Sequence, residues 1–188
     1  MDPFSRIGLP RKLDLNASEL EEELRQLAKS AHPDAGGDAE EFSEISKAGD
    51  LLKVPVSRLK VALELSGADL AGRGSVPAEI MDLFSPVVAV LEEVRSFVSE
   101  RERARSVLGK AVLDAQVPVL KRKLEELTTA VGDLEERQRE RFPEFDQRGW
   151  ENCLAEMEEA YRALLFLGKW MGQLREATGK IFEALLAG

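Results

Sequence analysis

Apolar residues recur every three or four positions along most of the chain, the spacing that places them on one face of an α-helix. In the first third, this pattern predicts helices over 18–31, from about Asp38 to Pro55, and over 57–66. The inner face of the second helix is predicted to hold Phe42, Ile45, Ala48, Leu51 and Leu52. No segment shows the strict alternation of a half-buried strand, so we predict an all-α fold.

Capping and breaking residues delimit the first two helices. Asn16 is a plausible N-cap, and Glu19 follows it at the distance of a capping box. Pro33 and the pair Gly36-Gly37 then end the helix and open a short loop. Two helices with one apolar stripe each and a short connection are expected to pack antiparallel as a hairpin.

A glycine-rich stretch with little periodicity, Gly67–Pro77, separates this hairpin from the rest of the chain. We therefore predict an N-terminal domain over 1–70, a linker over 71–77 and a C-terminal domain over 78–188. Ser85 and Pro86 are the predicted N-cap and first residue of the opening long helix.

Three long amphipathic stripes follow the linker and predict an antiparallel three-helix bundle. The first runs over 87–98, the second over 120–134, and Pro143 ends the second. The last helix is predicted from about Trp150 to Leu186. The charged run "SERERARS" over 99–106 is either the far turn of the bundle or a solvated stretch of a helix that continues to about Asp114.

Charge and composition narrow the function classes. The formal net charge is −9, which argues against non-specific nucleic-acid binding and against an anionic membrane as the default partner. One cysteine and one histidine cannot form a disulfide or a Cys/His metal site within the chain, so we expect no metal and no cofactor. The N-terminus contains no signal-like apolar run, and a cytoplasmic location is expected.

An enzymatic function is not expected. The sequence contains no GxSxG, phosphate-binding or dinucleotide motif. Cys153 lies beside the apolar stripe of the last helix and is expected to be packed and inert. The glutamate-rich helical faces are expected to be solvated surface.

The chain's only histidine belongs to the tripeptide His32-Pro33-Asp34, in the loop between the first two predicted helices. The segments "DPFSRIGL", "LAKSAHPD", "GGDAEEFSEISKA" and "LLKVPVSRL" surround or contain this loop. Together they resemble a J-domain, the small helical module of DnaJ-type co-chaperones, from Asp2 to about Leu65.

This resemblance implies a docking role. In J-domains the HPD loop binds a DnaK-type chaperone and stimulates its ATP hydrolysis. Pro33 would stiffen the loop, and Asp34 could accept a charge-assisted hydrogen bond from the partner. Arg25 and Lys29, one turn apart on the preceding helix, match the basic residues that steer this encounter.

The C-terminal part resembles HscB-type co-chaperones, in "RLKVALELSG" and in "WENCLAEMEEAYRALLFLGKW". Members of that family carry a three-helix bundle that binds the iron–sulfur scaffold IscU and delivers it to an HscA-type chaperone. By this resemblance, Ile80 and Met81 stand for the apolar pair of the scaffold-binding patch, and Phe166 stands for an aromatic on the last helix.

Two alternatives remain beside the HscB-like interpretation. The chain could be a divergent J-protein whose bundle binds another client or dimerises. It could also be a J-like structural adaptor without chaperone stimulation, which the intact HPD disfavours.

Overall fold

The computed structural model describes residues 2–32, 37–68, 70 and 76–187. Across these ranges every regular element is a helix and no strand is found, which confirms the predicted all-α class. None of the described helices combines the length and apolar character needed to cross a bilayer. The α-helices are α1 (Pro3–Arg6), α2 (Ala17–Ala31), α3 (Ala39–Lys53), α4 (Pro55–Leu65), α5 (Ala78–Met81), α6 (Phe84–Arg103), α7 (Val107–Asp114), α8 (Val117–Arg139), α9 (Phe142–Arg148) and α10 (Leu154–Leu186).

The chain forms two compact units, which we call the N-terminal unit and the bundle unit. The N-terminal unit contains Met1–Gly74 and Gln138–Arg162, and the bundle unit contains Ser75–Arg137 and Ala163–Gly188. These units differ from the predicted ranges 1–70 and 78–188 because the segment 138–162 packs with the N-terminal residues. Most of the predicted linker 71–77 lies outside the described residues.

The hairpin of the N-terminal unit begins where its capping residues predict. The Asn16 side chain accepts hydrogen bonds from the backbone N–H groups of Ser18 and Glu19, at 2.9 and 3.4 Å. The Asp38 side chain accepts one from the backbone N–H of Glu40 at 3.0 Å, and α3 follows. Each cap satisfies amides that have no partner inside the helix.

An apolar core holds α2 and α3 together. Gly49 lies in this contact, where an added Cβ would come within 2.7 Å of the Leu24 side chain, so the two helices approach closely. Leu51, which was predicted on the inner face, is 43% exposed, while its neighbour Leu52 is fully buried. The prediction for Leu51 was wrong because its side chain is turned about 100° around the helix axis from that of Leu52, away from the buried stripe of Ile45, Ala48 and Leu52. The buried core residues are Phe4, Ile7, Leu20, Leu24, Ala31, Ile45, Ala48, Leu52 and Val61.

A buried arginine joins α3 to α4. The Arg58 guanidinium donates to the backbone carbonyl of Leu52 at 2.7 Å, in the last turn of α3, where carbonyls lack helical partners. Burial lowers the pKa of Arg58, and the negative charges of Asp14 and Asp146 oppose that shift. Arg58 thus fixes the angle between the two helices through a charged hydrogen bond.

Segment 138–162 is attached to the N-terminal residues by one carboxylate. Asp146 accepts hydrogen bonds from the backbone N–H groups of Leu13 and Asp14, and from the Trp150 indole, all at 2.9 Å. The Trp150 ring packs on Phe4 with centroids 5.9 Å apart. Trp150 was predicted to begin the last helix and its apolar stripe. It lies instead in a short 3-10 turn, after Gly149 at a φ of 80°, and α10 begins four residues later.

The bundle unit is built from α6, α8 and α10 around one apolar core. An ion pair of 2.7 Å joins Glu93 on α6 to Lys123 near the start of α8, which fits antiparallel packing of these two helices. The core residues come from all three helices and from α5; they include Ile80, Val87, Val94, Phe97, Leu120, Leu124, Val131, Leu167, Trp170, Leu174 and Ile181. The predicted three-helix bundle is therefore present.

The breaks in the bundle differ in detail from the prediction. Helix α6 starts at Phe84 with Leu83 as its N-cap, so the predicted cap Ser85 is wrong, and Pro86 sits in the first turn, where no amide is needed. The run "SERERARS" contains a real break, since α6 ends at Arg103 and α7 begins at Val107. Pro143 lies at the start of α9, which confirms the predicted interruption there.

Candidate functional site

His32 stands at the end of α2, where the helix gives way to the loop. It is the C-cap residue, with an extended backbone at φ −66° and ψ 133°, and its side chain is exposed. Its ring meets the Phe42 ring edge-on, with centroids 5.2 Å apart. Phe42 belongs to α3, so the hairpin itself orients the histidine at the surface.

The far side of the loop returns to the same helix end. The Gly37 backbone N–H donates to the His32 carbonyl at 3.1 Å. A Cβ at Gly37 would collide with the backbone carbonyl of Ala31, so the return is possible only for glycine. Pro33 and Asp34, the other two predicted docking residues, lie outside the described residues.

The outward surface of α2 changes sign along its length. Arg25 and Lys29 are exposed in the half that leads to His32. Arg25 forms an ion pair with Glu22, which also accepts a hydrogen bond from Gln26 at 2.8 Å. The bond from Gln26 and the charge of Arg25 lower the pKa of Glu22. Arg25 would therefore have to leave Glu22, at least in part, to contact a partner protein. Lys29 lies nearer to the histidine in the sequence.

The predicted residues of the bundle patch lie in different environments. Ile80 has no exposed surface and packs in the bundle core, so it supports the patch and cannot contact a partner directly. Met81, the next residue, is 48% exposed. Phe166 is partly buried and packs edge-on against Trp170, with ring centroids 5.0 Å apart.

Cys153 and the possible metal ligands among the described residues were also considered as sites. Cys153 is 1% exposed, and its thiol donates to the Gly149 carbonyl at 3.3 Å. Burial raises the pKa of this thiol, which disfavours the reactive thiolate. In the described part of the chain, no group of three or more His, Cys, Asp or Glu side chains is arranged to hold a metal ion.

Comparison with known proteins places these features in a family. No protein-family model matches the chain. It is similar to the HscB co-chaperone homologue of Chromobacterium violaceum, with 32% identity over 126 residues, covering 61% of this chain and 72% of that protein. The chain belongs to the HscB co-chaperone family.

Two further HscB proteins extend the comparison. The HscB co-chaperone of Proteus mirabilis is 34% identical over 80 residues, a match that spans 38% of this chain and less than half, 46%, of that relative. The solved structure of the chaperone HscB from Vibrio cholerae has the same fold, with a TM-score of 0.62 at 18% identity, and covers 96% of this chain and 99% of that one.

The structure of this HscB-family chain also reveals surface residues that sequence reasoning missed. Phe84 and Val88 on α6 are 45% and 44% exposed, and the Phe84 ring lies 6.4 Å from that of Trp170. With Phe166 they line a groove of about 260 Å³ between α6 and α10. Phe84 and Val88 are four residues apart, a spacing that places them on one side of a helix. They were missed because the predicted apolar stripe of α6 begins at Val87.

Proposed function

We propose that this HscB-family protein is a co-chaperone that docks on a DnaK/HscA-type chaperone through its HPD loop and stimulates the partner's ATPase. The protein itself catalyses no reaction in this proposal. The observation that carries it is the exposed His32 at the C-cap of α2, oriented by Phe42 and followed in the sequence by Pro33 and Asp34. Family membership supports the same role. A cytoplasmic location is part of the proposal.

The electrostatics of α2 fit such an encounter. Lys29 and Arg25 place positive charge beside the loop, and positive charge accelerates association with an acidic surface on a partner. The acidic first half of α2, with Glu19 near the N-terminus of the helix, is stabilised by the helix dipole. The acidic residues in the first half of α2 thus stabilise the helix, and the basic residues in its second half steer the approach of the chaperone.

The test is the steady-state ATPase of the cognate chaperone with and without the full chain. We expect His32→Gln to abolish stimulation and to leave the helical circular dichroism unchanged. Glu21→Gln, an exposed change on the same helix away from the loop, is the control and should stimulate like the wild type. Equal stimulation by His32→Gln would refute docking through the loop.

We further propose that the bundle unit presents an IscU-like scaffold protein to the chaperone. Its contact surface would be the apolar patch of Met81, Phe84, Val88 and Phe166, backed by Trp170. Half-exposed apolar side chains beside a groove are typical of protein-binding surfaces. Ile80 is expected to hold Met81 in position from the core.

Isothermal calorimetry with the organism's own IscU-type scaffold tests this second part. Phe84→Glu places a charge in the patch, and we expect it to weaken binding at least tenfold. Val54→Glu, which changes a residue that is 46% exposed in the N-terminal unit, is the matched control and should bind normally. No heat with the wild-type chain at micromolar concentrations would contradict scaffold binding.

The composition of the patch favours a second candidate, a divergent J-protein whose bundle binds another client. Asp82 is the one acidic residue between Met81 and Leu91 in the sequence, whereas the resemblance leads us to expect several acids there. Loss of scaffold binding together with retained ATPase stimulation would support this alternative.

A further inference from the structure

Helix α7 has its apolar side turned to solvent. Val107, Leu108 and Val112 are 87%, 75% and 62% exposed, and Ala111 and Ala115 on the same side are exposed too. In an ordinary surface helix these residues would face the core. The exposed apolar side of α7 therefore needs an explanation other than packing within the bundle unit.

The orientation of α7 is held by an ion pair on its opposite side. Arg101, 6% exposed on α6, binds the Asp114 carboxylate with distances of 2.7 and 3.3 Å. The same guanidinium also donates to the Ala184 carbonyl on α10. Leu113 packs against the bundle core beside this pair. With Asp114 and Leu113 facing inwards, the apolar side of the helix must point outwards.

The segments that precede and follow α7 in the sequence are rich in basic residues. The tip, defined as residues 101–123, has seven Lys and Arg against two Asp and Glu, a formal charge of +5, which leaves −14 on the rest of the chain. Arg103, Arg105 and Lys121 are exposed, and no ion pair is found for them among the described residues. Arg122 is 69% exposed, with Glu126 at 3.8 Å.

We propose that the tip binds an anionic lipid surface. Aliphatic side chains that enter the headgroup region, ringed by Lys and Arg, form the pattern of peripheral membrane contacts. A protein partner would need a pocket complementary to these side chains, whereas a lipid surface needs none. Side chains that project from one short helix can therefore enter the lipid headgroup region directly. A symmetric contact between two copies is disfavoured, because it would bring two positively charged tips together.

The negative charge of the whole chain does not prevent this contact. Electrostatic interactions in solution are screened within about 8 Å at physiological ionic strength. Glu93 lies ten residues before Arg103 on α6, which is about 15 Å along the helix axis. Two acidic residues are nearer: Glu100 directly precedes the tip, and Glu183 lines a cavity with Arg101, Glu102 and Lys110. Counting both lowers the formal charge at this end from +5 to +3, so the surface that carries α7 stays positive. The inference is independent of the proposed chaperone docking, which uses other residues.

Vesicle flotation with the full chain tests the proposal. We expect binding to vesicles of phosphatidylcholine that contain phosphatidylglycerol, weaker binding at high salt, and none to pure phosphatidylcholine. Leu108→Glu and the double variant Arg103→Glu/Arg105→Glu should each reduce binding by about tenfold or more. Leu51→Glu, at an exposed leucine of the N-terminal unit, is the matched control and should float like the wild type.

A second readout separates insertion from adsorption. A dye sensitive to polarity, attached at Val107→Cys, should shift to the blue on anionic vesicles, and the native Cys153 is too buried to react. Leu108→Glu should still stimulate the chaperone ATPase, so failure of the tip is distinguishable from failure of the proposed function. No flotation, or flotation unaffected by Leu108→Glu, would overturn the proposal. A blue shift caused by the chaperone or scaffold in the absence of vesicles would overturn it in favour of a protein partner.

Discussion

The two units carry their candidate sites in different ways. In the N-terminal unit, the site is a loop marked by the chain's only histidine, whose ring contacts that of Phe42. In the bundle unit, the site is a patch of common apolar residues, Met81 and Phe84 from one segment and Phe166 from another. A loop site depends on a few rare residues in one place. A patch depends on which side of each helix the core leaves uncovered.

The units also differ in how their elements are joined. Polar anchors tie the N-terminal unit together, since Asp146 binds the backbone near Leu13 and Arg58 caps α3. The bundle unit relies on its long apolar core, with the Arg101–Asp114 pair at one end. Charged hydrogen bonds fix the direction of their partners, whereas an apolar core chiefly supplies stability. This contrast leads to four predictions.

The largest expected effect comes from opening a cavity in each core. Leu52 and Leu167 are fully buried, one in each unit. We expect Leu52→Ala and Leu167→Ala each to lower the free energy of unfolding by about 3 kcal/mol. Hydrogen exchange followed by peptide mass spectrometry should locate the loss in α2 and α3 for the first and in α6 and α8 for the second. Equal acceleration across both units by either variant would contradict the division into units.

The next effect concerns the carboxylate anchor of the N-terminal unit. Asp146→Asn keeps one acceptor oxygen and loses the other, so either the backbone N–H of Asp14 or the indole N–H of Trp150 loses its partner. We expect urea unfolding to report a loss of about 1–2 kcal/mol. Asp50→Asn, on the exposed side of α3, is the control and should change stability little. Equal effects of the two variants would show that the anchor contributes nothing specific.

A smaller effect should appear on acidification of the bundle unit. The hydrogen bond from Arg101 lowers the pKa of Asp114 below its ordinary value of 3.8. Because the folded-state pKa is the lower one, the stabilisation is complete above that ordinary value and is lost as the pH falls through the folded-state pKa. The stability difference between the wild type and Asp114→Asn should therefore shrink in this acid range. A difference that is constant with pH would exclude an electrostatic role for the pair.

The smallest effect concerns steering by α2. Glu22→Gln removes the ion-pair partner of Arg25, so the guanidinium becomes available to the chaperone. We expect association to be about two to three times faster in stopped-flow measurements at low salt. Glu21→Gln changes the net charge by the same amount but leaves the Arg25–Glu22 ion pair in place. Comparing the two variants therefore separates the effect of freeing Arg25 from the effect of removing one negative charge. Identical rates for the two variants would remove any special role of Glu22.

Short-range patterns in the sequence were sufficient to predict most of the helices and the family resemblance. The cap at Asn16, the break at Pro143 and the spacing of apolar residues predicted the helices, because each depends on neighbours within one or two turns. The HPD tripeptide and its flanking segments pointed to the J-domain and HscB-type families for the same reason. Membership of the HscB family is confirmed by comparison, while the role of His32 stays a prediction.

Only the tertiary structure decided which apolar residues are covered, and by what. Ile80 and Met81 are adjacent and equally apolar, yet one is fully buried and the other half exposed. Trp150 continues the pattern of the last helix in the sequence but packs on Phe4 in the N-terminal unit. The apolar side of α7 faces outwards because Arg101 binds the Asp114 carboxylate on the other side and also donates to the carbonyl of Ala184, far away in the chain. Periodicity reveals that a side chain is apolar and on which side of its helix it lies, but its neighbours come from segments far away in the chain.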